Sequence, residues 1–291
     1  MFAQFLQYIF AGLTSGAIYA LAGLGFAIIY NASNVINFAQ GEFIMLGGMV
    51  AATLFASGVS LPVAILIAVT ATMTVGVVLE KFAVERARDA DVITIIIITI
   101  GASIFLRGAA QLIWDKDFHS LPAFSGETPI KIAGATLMPQ SLWVTGVSLV
   151  LIVALWWFFN RTLFGKAMLA TSFNKLAARL MGIPVKRMLT VSFALSALLG
   201  AAAGIVITPI TFTSYETGIM LGLKGFAAAI LGGLGSGMGA IVGGLLVGII
   251  EAMASGYLSS AYKDVTAFII ILFVLLFLPT GLFGNRGADR V

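Results

Sequence analysis

Eight apolar runs decide what this chain can become. They cover residues 4–30, 39–57, 61–79, 92–113, 141–160, 188–208, 238–257 and 264–280, close to or above the roughly 20 residues a helix needs to cross a hydrocarbon core. A ninth run, 218–233, is shorter and reads as a half-span. The runs are continuous and do not alternate in segments of about 10 residues, so they predict helices and not a barrel; hydrocarbon tolerates no unpaired backbone polar groups. With 60% hydrophobic and 10% charged residues and a mean hydropathy of +1.09, the chain falls outside the range of soluble domains. The predicted fold is all-α: a single polytopic transmembrane domain over 1–291, with about 8 to 9 embedded helices and an interrupted or re-entrant segment near 218–257. The first run has no basic residue before it and no polar sequence after a cleavage pattern, so it reads as a retained helix and not a signal peptide. The chain has no cysteine, which excludes disulfides and thiol-ligated metal.

Charge placement sets the topology. Arg161, Lys166, Lys175, Arg179, Lys186 and Arg187 crowd the loop 161–187 with no acid among them, the mark of the cytoplasmic side. Loop 80–91, with Lys81, Arg86 and Arg88, falls on the same side if 92–113 and 141–160 are full crossings. The segment 114–140 is then external, and its alternating stretch PIKIAGATL predicts a small hairpin around Ala133 and Gly134. An inward tail carrying Arg286 and Arg290 requires 218–257 to cross twice or re-enter, turning within GGLGSGMG at 232–239. Counting backward puts the N-terminus outside. The net charge of +4 is thus an orientation signal, and no nucleic-acid partner is read from it.

Three polar or glycine-rich regions carry more. In NVINFAQGEF, residues 34–43, the amides Asn34, Asn37 and Gln40 and the carboxylate Glu42 stand between two apolar runs. Asn37 with Gln40 imitates a capping box, and Glu42 suits a helix N-terminus. Equally, an interrupted helix could turn these groups toward a translocation path. In LKGFAAAILGGLGSGMGAIVGGLLVGIIE, 223–251, Gly235, Gly239 and Gly243, then Gly244 and Gly248, space small residues for close helix packing. The turn Gly232, Gly233, Gly235, Ser236 lacks the Lys and Ser/Thr of a phosphate loop, so any ATPase is another chain. In the basic loop, residues 174–180 favour a short helix that Gly182 ends and Pro184 cannot continue. Such a helix suits docking into a groove of a cytosolic partner, although spacing alone favours a loop that only fixes orientation.

The remaining polar residues have modest readings. His119 is a solvated loop residue, far short of the three or four ligands zinc wants. Arg107 snorkels outward from its helix. Lys224 and Glu251, near the ends of apolar runs, are open to interface placement or pore lining. Trp114, Trp143, Trp156 and Trp157 fall at span ends, as in an aromatic belt. No metal site is expected.

Together, VINFAQGEFIMLGG (35–48), NKLAARLMGI (174–183), KGFAAAILGGLGSGMGAIVGG (224–244) and LPTGLFG (278–284) closely resemble the integral-membrane permeases of branched-chain amino acid ABC importers, in particular the shorter, H-type subunit. The resemblance runs in order along nearly the whole chain. It implies a subunit of a bacterial inner membrane that pairs with an M-type permease, with two cytosolic ATPases below and a periplasmic substrate-binding protein above. ATP and Mg²⁺ would sit on those ATPases, and this chain would bind no cofactor and catalyse no reaction. The inward loop would be the coupling helix, carried by Asn174, Ala177, Ala178, Met181 and Gly182, while Asn34, Asn37, Gln40, Glu42, Lys224 and the 232–236 turn would belong to the path or its helix breaks. Gln40 stands where many relatives have His, which removes a titratable group. An ion-coupled secondary carrier or channel is the rival, but it would need buried ionisable pairs, and Glu42 has no evident partner in the sequence. Which solute crosses is not readable: relatives carry leucine, isoleucine and valine, and others amides or urea.

Overall fold

The computed structural model describes residues 2–87 and 90–284; Arg88, Arg286 and Arg290, used above for orientation, lie outside them. The helices in order are α1 (Phe2–Ser33), α2 (Gln40–Ala56), α3 (Leu61–Leu79), α4 (Val92–Trp114), α5 (Pro139–Arg161), α6 (Leu163–Phe173), α7 (Lys175–Leu180), α8 (Val185–Thr211), α9 (Thr217–Gly232), α10 (Gly237–Tyr257) and α11 (Lys263–Phe277). A π-helical turn, Glu80–Val84, extends α3, and a 3₁₀ turn, Ser260–Tyr262, opens α11. Seven helices among the described residues are long and apolar enough to span a membrane, counting those two extensions, and α2 and α9 are shorter apolar helices. The expected all-α bundle of 8 to 9 embedded helices, with a short element in 218–257, is what forms.

The predicted hairpin is present outside the bundle. Strands β1 (Ile130–Ile132) and β2 (Ala135–Leu137) pair antiparallel. Ala133 and Gly134 turn between them with φ of 50° and 85°, the two positive values a tight hairpin turn needs. Gln7 of α1 fixes the hairpin: its Nε2 donates to the Thr136 carbonyl at 2.8 Å and its Oε1 accepts from the Thr136 amide at 2.7 Å. His119 is a half-exposed loop residue, and its backbone exchanges bonds of 2.8 and 2.9 Å with Thr213. A single bridge thereby ties the segment after α4 to the turn after α8.

The bundle holds two interlocked copies of one construction, of opposite sense. In each, a long helix (α1 or α8) ends on a non-glycine residue of positive φ, Asn34 at 62° and Phe212 at 58°. A few irregular residues follow, then a short helix (α2 or α9), then another helix antiparallel to it (α3 or α10). The packing is reciprocal: α1 lies on α10 as α8 lies on α3, and α2 lies on α8 as α9 lies on α1. α2 runs alongside α8, with Phe43 against Gly200 and Gly48 against Thr208, and α9 runs alongside α1, with Ala22 against Gly225 and Asn31 against Gly235. α8 opens beside the end of α1, where Val185 and Ser33 line one cleft, and Ser196 meets Gly25 a few turns on, so α1 and α8 are antiparallel. Interrupted helices in inverted repeats are a recurrent transporter design.

Small residues let these backbones meet. On α10, Gly244 faces Ala20 and Gly248 faces Gly16, while Gly243 faces Ala228 of α9. A Cβ added at Gly12 would stand 2.7 Å from Ile249 Cα, inside any van der Waals contact, so the predicted packing role of the small-residue steps holds. The core of α1, Gly16 to Ile29, is buried on all sides. In contrast, α4, α5 and α11 expose aliphatic and aromatic faces, among them Phe105, Val150 and Leu276. On a membrane protein such faces suit lipid or a partner helix.

Candidate functional site

The stretch 34–43 is a helix break, and each of its polar groups has its own task. Asn34 is exposed; in a left-handed conformation it ends α1, donating its amide to the Tyr30 carbonyl at 2.7 Å. Asn37 is buried and accepts from the Ala39 amide at 3.1 Å, while its Nδ2 has no partner. The expected capping box is not formed. Gln40 opens α2, but its side chain crosses to α8, where Nε2 donates to the Ser196 carbonyl at 3.3 Å. Ser196 Oγ bonds the Gln40 side chain in return and lies 3.0 Å from the Gly25 carbonyl. Gln40 thus joins α1, α2 and α8 at mid-length of α8, and a Cβ on Gly25 would stand 2.9 Å from Ser196 Oγ.

One residue on, Gly41 packs directly on Gly218 and Gly222. The N-terminal ends of the two short helices, one from each repeat, therefore meet inside the bundle. Helix N-termini carry unsatisfied N–H groups and partial positive charge, and Glu42 is placed among them. It has a partner after all: Ser103 Oγ of α4 donates to Glu42 Oε1 at 2.8 Å. Glu42 is 2% exposed, yet its Oε2 has no hydrogen-bond partner.

That oxygen's residue lines a cavity of about 210 Å³ between α1, α2, α4 and α9. Phe26, Phe38, Phe226, Ile100, Ile104, Ile219 and Leu223 make it mostly apolar; Glu42, Ser103 and Arg107 are its ionic and hydroxyl groups. Arg107, half-buried, lines this cavity one turn beyond Ser103 on the same face of α4. Thr99, one turn before Ser103, accepts from the Phe38 amide at 3.2 Å and so holds the break against α4. The sequence reading missed Thr99 and Ser103, although the four-residue spacing Thr99, Ser103, Arg107 in an otherwise apolar helix was a usable signal.

Lys224 lies outside this cavity. Its ammonium is 3.1 Å from Glu251 Oε1 and 2.7 Å from Asp264 Oδ1, and Tyr19 donates to Glu251 at 2.9 Å. Lys224 and Glu251 are a buried ion pair joining α1, α9, α10 and the start of α11. Both Glu251 oxygens are bonded, so this pair presents no free carboxylate to a coupling ion. The 232–236 turn is also structural in its bonds. Gly233 and Gly235 take φ of 101° and 89°, Ser236 accepts from the Gly239 amide at 3.0 Å to cap α10, and Asn31 Nδ2 donates to the Gly235 carbonyl at 2.7 Å.

The basic loop holds two helices where one was expected. Thr162 accepts from the Gly165 amide at 3.0 Å and opens α6, which the sequence reading missed. Asn174 accepts from Leu176 and Ala177 amides at 3.0 and 2.9 Å and opens α7. Gly182, with φ of 81°, closes it: its amide donates to Arg179, and that of Ile183 to Ala178. Ala178 is buried against the bundle, so it is not available to a partner. The outward face instead carries Phe173, Leu176, Leu180 and Met181, the last two 81% and 83% exposed. Lys175 turns inward and donates to the Ser33 carbonyl at 3.0 Å; burial, then the nearby Arg179, pull its pKa below the ordinary lysine value.

An all-helical, multi-pass bundle with inverted repeats, two half-length helices meeting head to head and no nucleotide motif is the architecture of a membrane transport subunit. The family described as branched-chain amino acid transport system, permease component, matches residues 8–275. The chain is 33% identical to the high-affinity branched-chain amino acid transport system permease protein LivH of Escherichia coli K12, over 100% of this chain and 99% of that protein. It is 32% identical to the corresponding permease protein BraD of Pseudomonas aeruginosa, over 99% and 98%. In fold it is similar to PsaBC from Streptococcus pneumoniae, with a TM-score of 0.54 at 15% identity over 96% of this chain and 97% of that one. The chain belongs to the branched-chain amino acid ABC transporter permease family. It is a multi-pass inner-membrane transport subunit and not an enzyme, and the ATP hydrolysis of such importers occurs on separate ATPase subunits.

Proposed function

We propose that this chain forms one half of the path by which branched-chain amino acids enter the cell, and that it is driven through α6 and α7. An M-type permease covers the open side of the cavity between α4 and α9. Two cytosolic ATPases grip the 161–187 loops, and an external binding protein delivers the solute above the 114–140 segment. The observation that carries this reading is α7: capped at both ends, apolar and exposed on its outer face, and joined on its inner face to the end of α1 through Lys175 and Ser33. Motion imposed on α7 then reaches Ser33, the break at 34–39 and the Glu42 cavity within one continuous set of contacts. ATP-driven closure of the ATPases would bias a two-state bundle between inward and outward access. The cavity is predominantly apolar with a few ionic groups, which suits an aliphatic amino acid.

Copurification with uptake tests this. The Leu180→Asp variant puts a charge on the outward face without touching the bundle. It should remain in the membrane, hold less ATPase and lose most ATP-driven leucine uptake. Full uptake by that variant would refute the docking role.

A further inference from the structure

We infer that the cavity at the meeting point of α2 and α9 is a zwitterion site. The Glu42 carboxylate takes the α-ammonium of an amino acid, Arg107 takes its α-carboxylate, and its aliphatic side chain rests on Phe26, Phe38 and Phe226. The inference rests on the importer reading and extends it by giving each end of the solute a residue.

Three observations converge. First, Glu42 Oε2 is a buried carboxylate oxygen without a hydrogen-bond partner, whereas Oε1 is held by Ser103. Buried polar atoms are nearly always paired, and a half-satisfied carboxylate on a residue that lines a cavity calls for a cationic donor. Second, Arg107 brings the opposite charge to the same cavity, yet no ion pair joins it to Glu42 among the described residues. The two charges line one cavity without pairing with each other. A molecule carrying both charges on one carbon complements both groups, while a plain amine or plain acid leaves one of them unmatched in an apolar setting. Third, the cavity of about 210 Å³ is smaller than the roughly 300–1,000 Å³ of drug-sized pockets, and its remaining wall is aromatic and aliphatic. That limits the occupant to a small solute with an apolar body.

The test is a binding cycle on the purified permease and ATPase complex in detergent, without binding protein and without ATP, read by saturation-transfer NMR titration. The probes are leucine, leucinamide, which lacks the carboxylate charge, and 4-methyl-2-oxopentanoate, which lacks the ammonium. Wild type should bind leucine more tightly than either analogue. Glu42→Gln should weaken leucine and leucinamide roughly tenfold or more, the order of a charge-assisted hydrogen bond, and leave the keto acid unchanged. Arg107→Gln should weaken leucine and the keto acid by a similar factor and leave leucinamide unchanged. A purely structural role for either residue would weaken all three probes together and overturn the assignment. So would leucine affinity unchanged in both variants, or no leucine binding to wild type. Should either charge variant fail to assemble, Phe226→Trp fills the cavity from its apolar wall, and unchanged leucine binding there would refute the site. Because the cycle uses no ATP, its failure leaves the coupling reading intact, and failure of the Leu180→Asp experiment leaves this one intact.

Discussion

Lys224 and Glu251 show what single residues contribute here. Their side chains are 6% and 2% exposed; Glu251 depends on Lys224 for its charge partner, while Lys224 also meets the half-exposed Asp264 at 2.7 Å. Removing one partner from a buried pair leaves an uncompensated charge and costs about 3–5 kcal/mol, whereas an apolar replacement of both is far milder. Lys224→Met should therefore lower the melting temperature of the detergent-solubilised protein strongly, and Lys224→Met with Glu251→Leu should recover most of the loss in a thermal-shift measurement. Equal destabilisation by the double variant would contradict the pairing. Gly41 makes a second case, because a side chain there would enter the backbone of α9 at Gly218 and Gly222. Overpacking of this kind costs about 1–3 kcal/mol, and Gly41→Val should also reduce uptake by separating the two short helices. Of these residues the sequence displayed the type and the local position. It could not display Tyr19 meeting Glu251 across 232 positions, because no periodicity or spacing encodes contacts between distant helices.

At the level of elements, local chemistry was the better guide. The hairpin at 130–137 follows from alternating residues about a two-residue turn, and α7 follows from Asn174 before it and Gly182 after it. Replacing Asn174 by Ala removes the acceptor for two amides and should cost the loop about 1 kcal/mol of helix stability. Circular dichroism barely registers six residues, so the measurement is hydrogen exchange at Leu176 and Ala177, which should speed up. α6 escaped the sequence reading because its residues, LFGKAMLATSF, continue the basic loop without a strong apolar period, and only Thr162 marks its start. The capping box read into Asn37 and Gln40 failed for a related reason. Its spacing is right for a cap, but the packed bundle offers Gln40 a buried partner on α8, and a buried amide must take one.

The whole molecule turns on its sidedness. The 161–187 loop and the 114–140 segment are expected on opposite faces of the membrane, and the absence of cysteine makes this simple to test. Single cysteines at Lys166 and Glu127, both on exposed loop elements, should react with an impermeant thiol reagent from opposite sides: position 127 in intact cells, position 166 only after lysis. Labelling of position 166 in intact cells would invert the topology and remove the basis for ATPase coupling.

By itself the sequence determined that the chain is a helical membrane protein, roughly where each long apolar helix starts and stops, and which loop is basic. Those properties depend on local hydropathy, charge and turn residues, which act over one or a few helical turns. Only the tertiary structure decided that two triplets of helices interlock in opposite senses, that α2 and α9 begin against each other, that Lys224 is sequestered with Glu251 while Arg107 and Glu42 line one cavity, and that Ala178 turns inward. In a chain whose helices are apolar on nearly every face, hydropathy cannot choose the partners of a helix. Close contact between small residues and the pairing of the few buried polar groups make that choice, and both exist only once the bundle has formed.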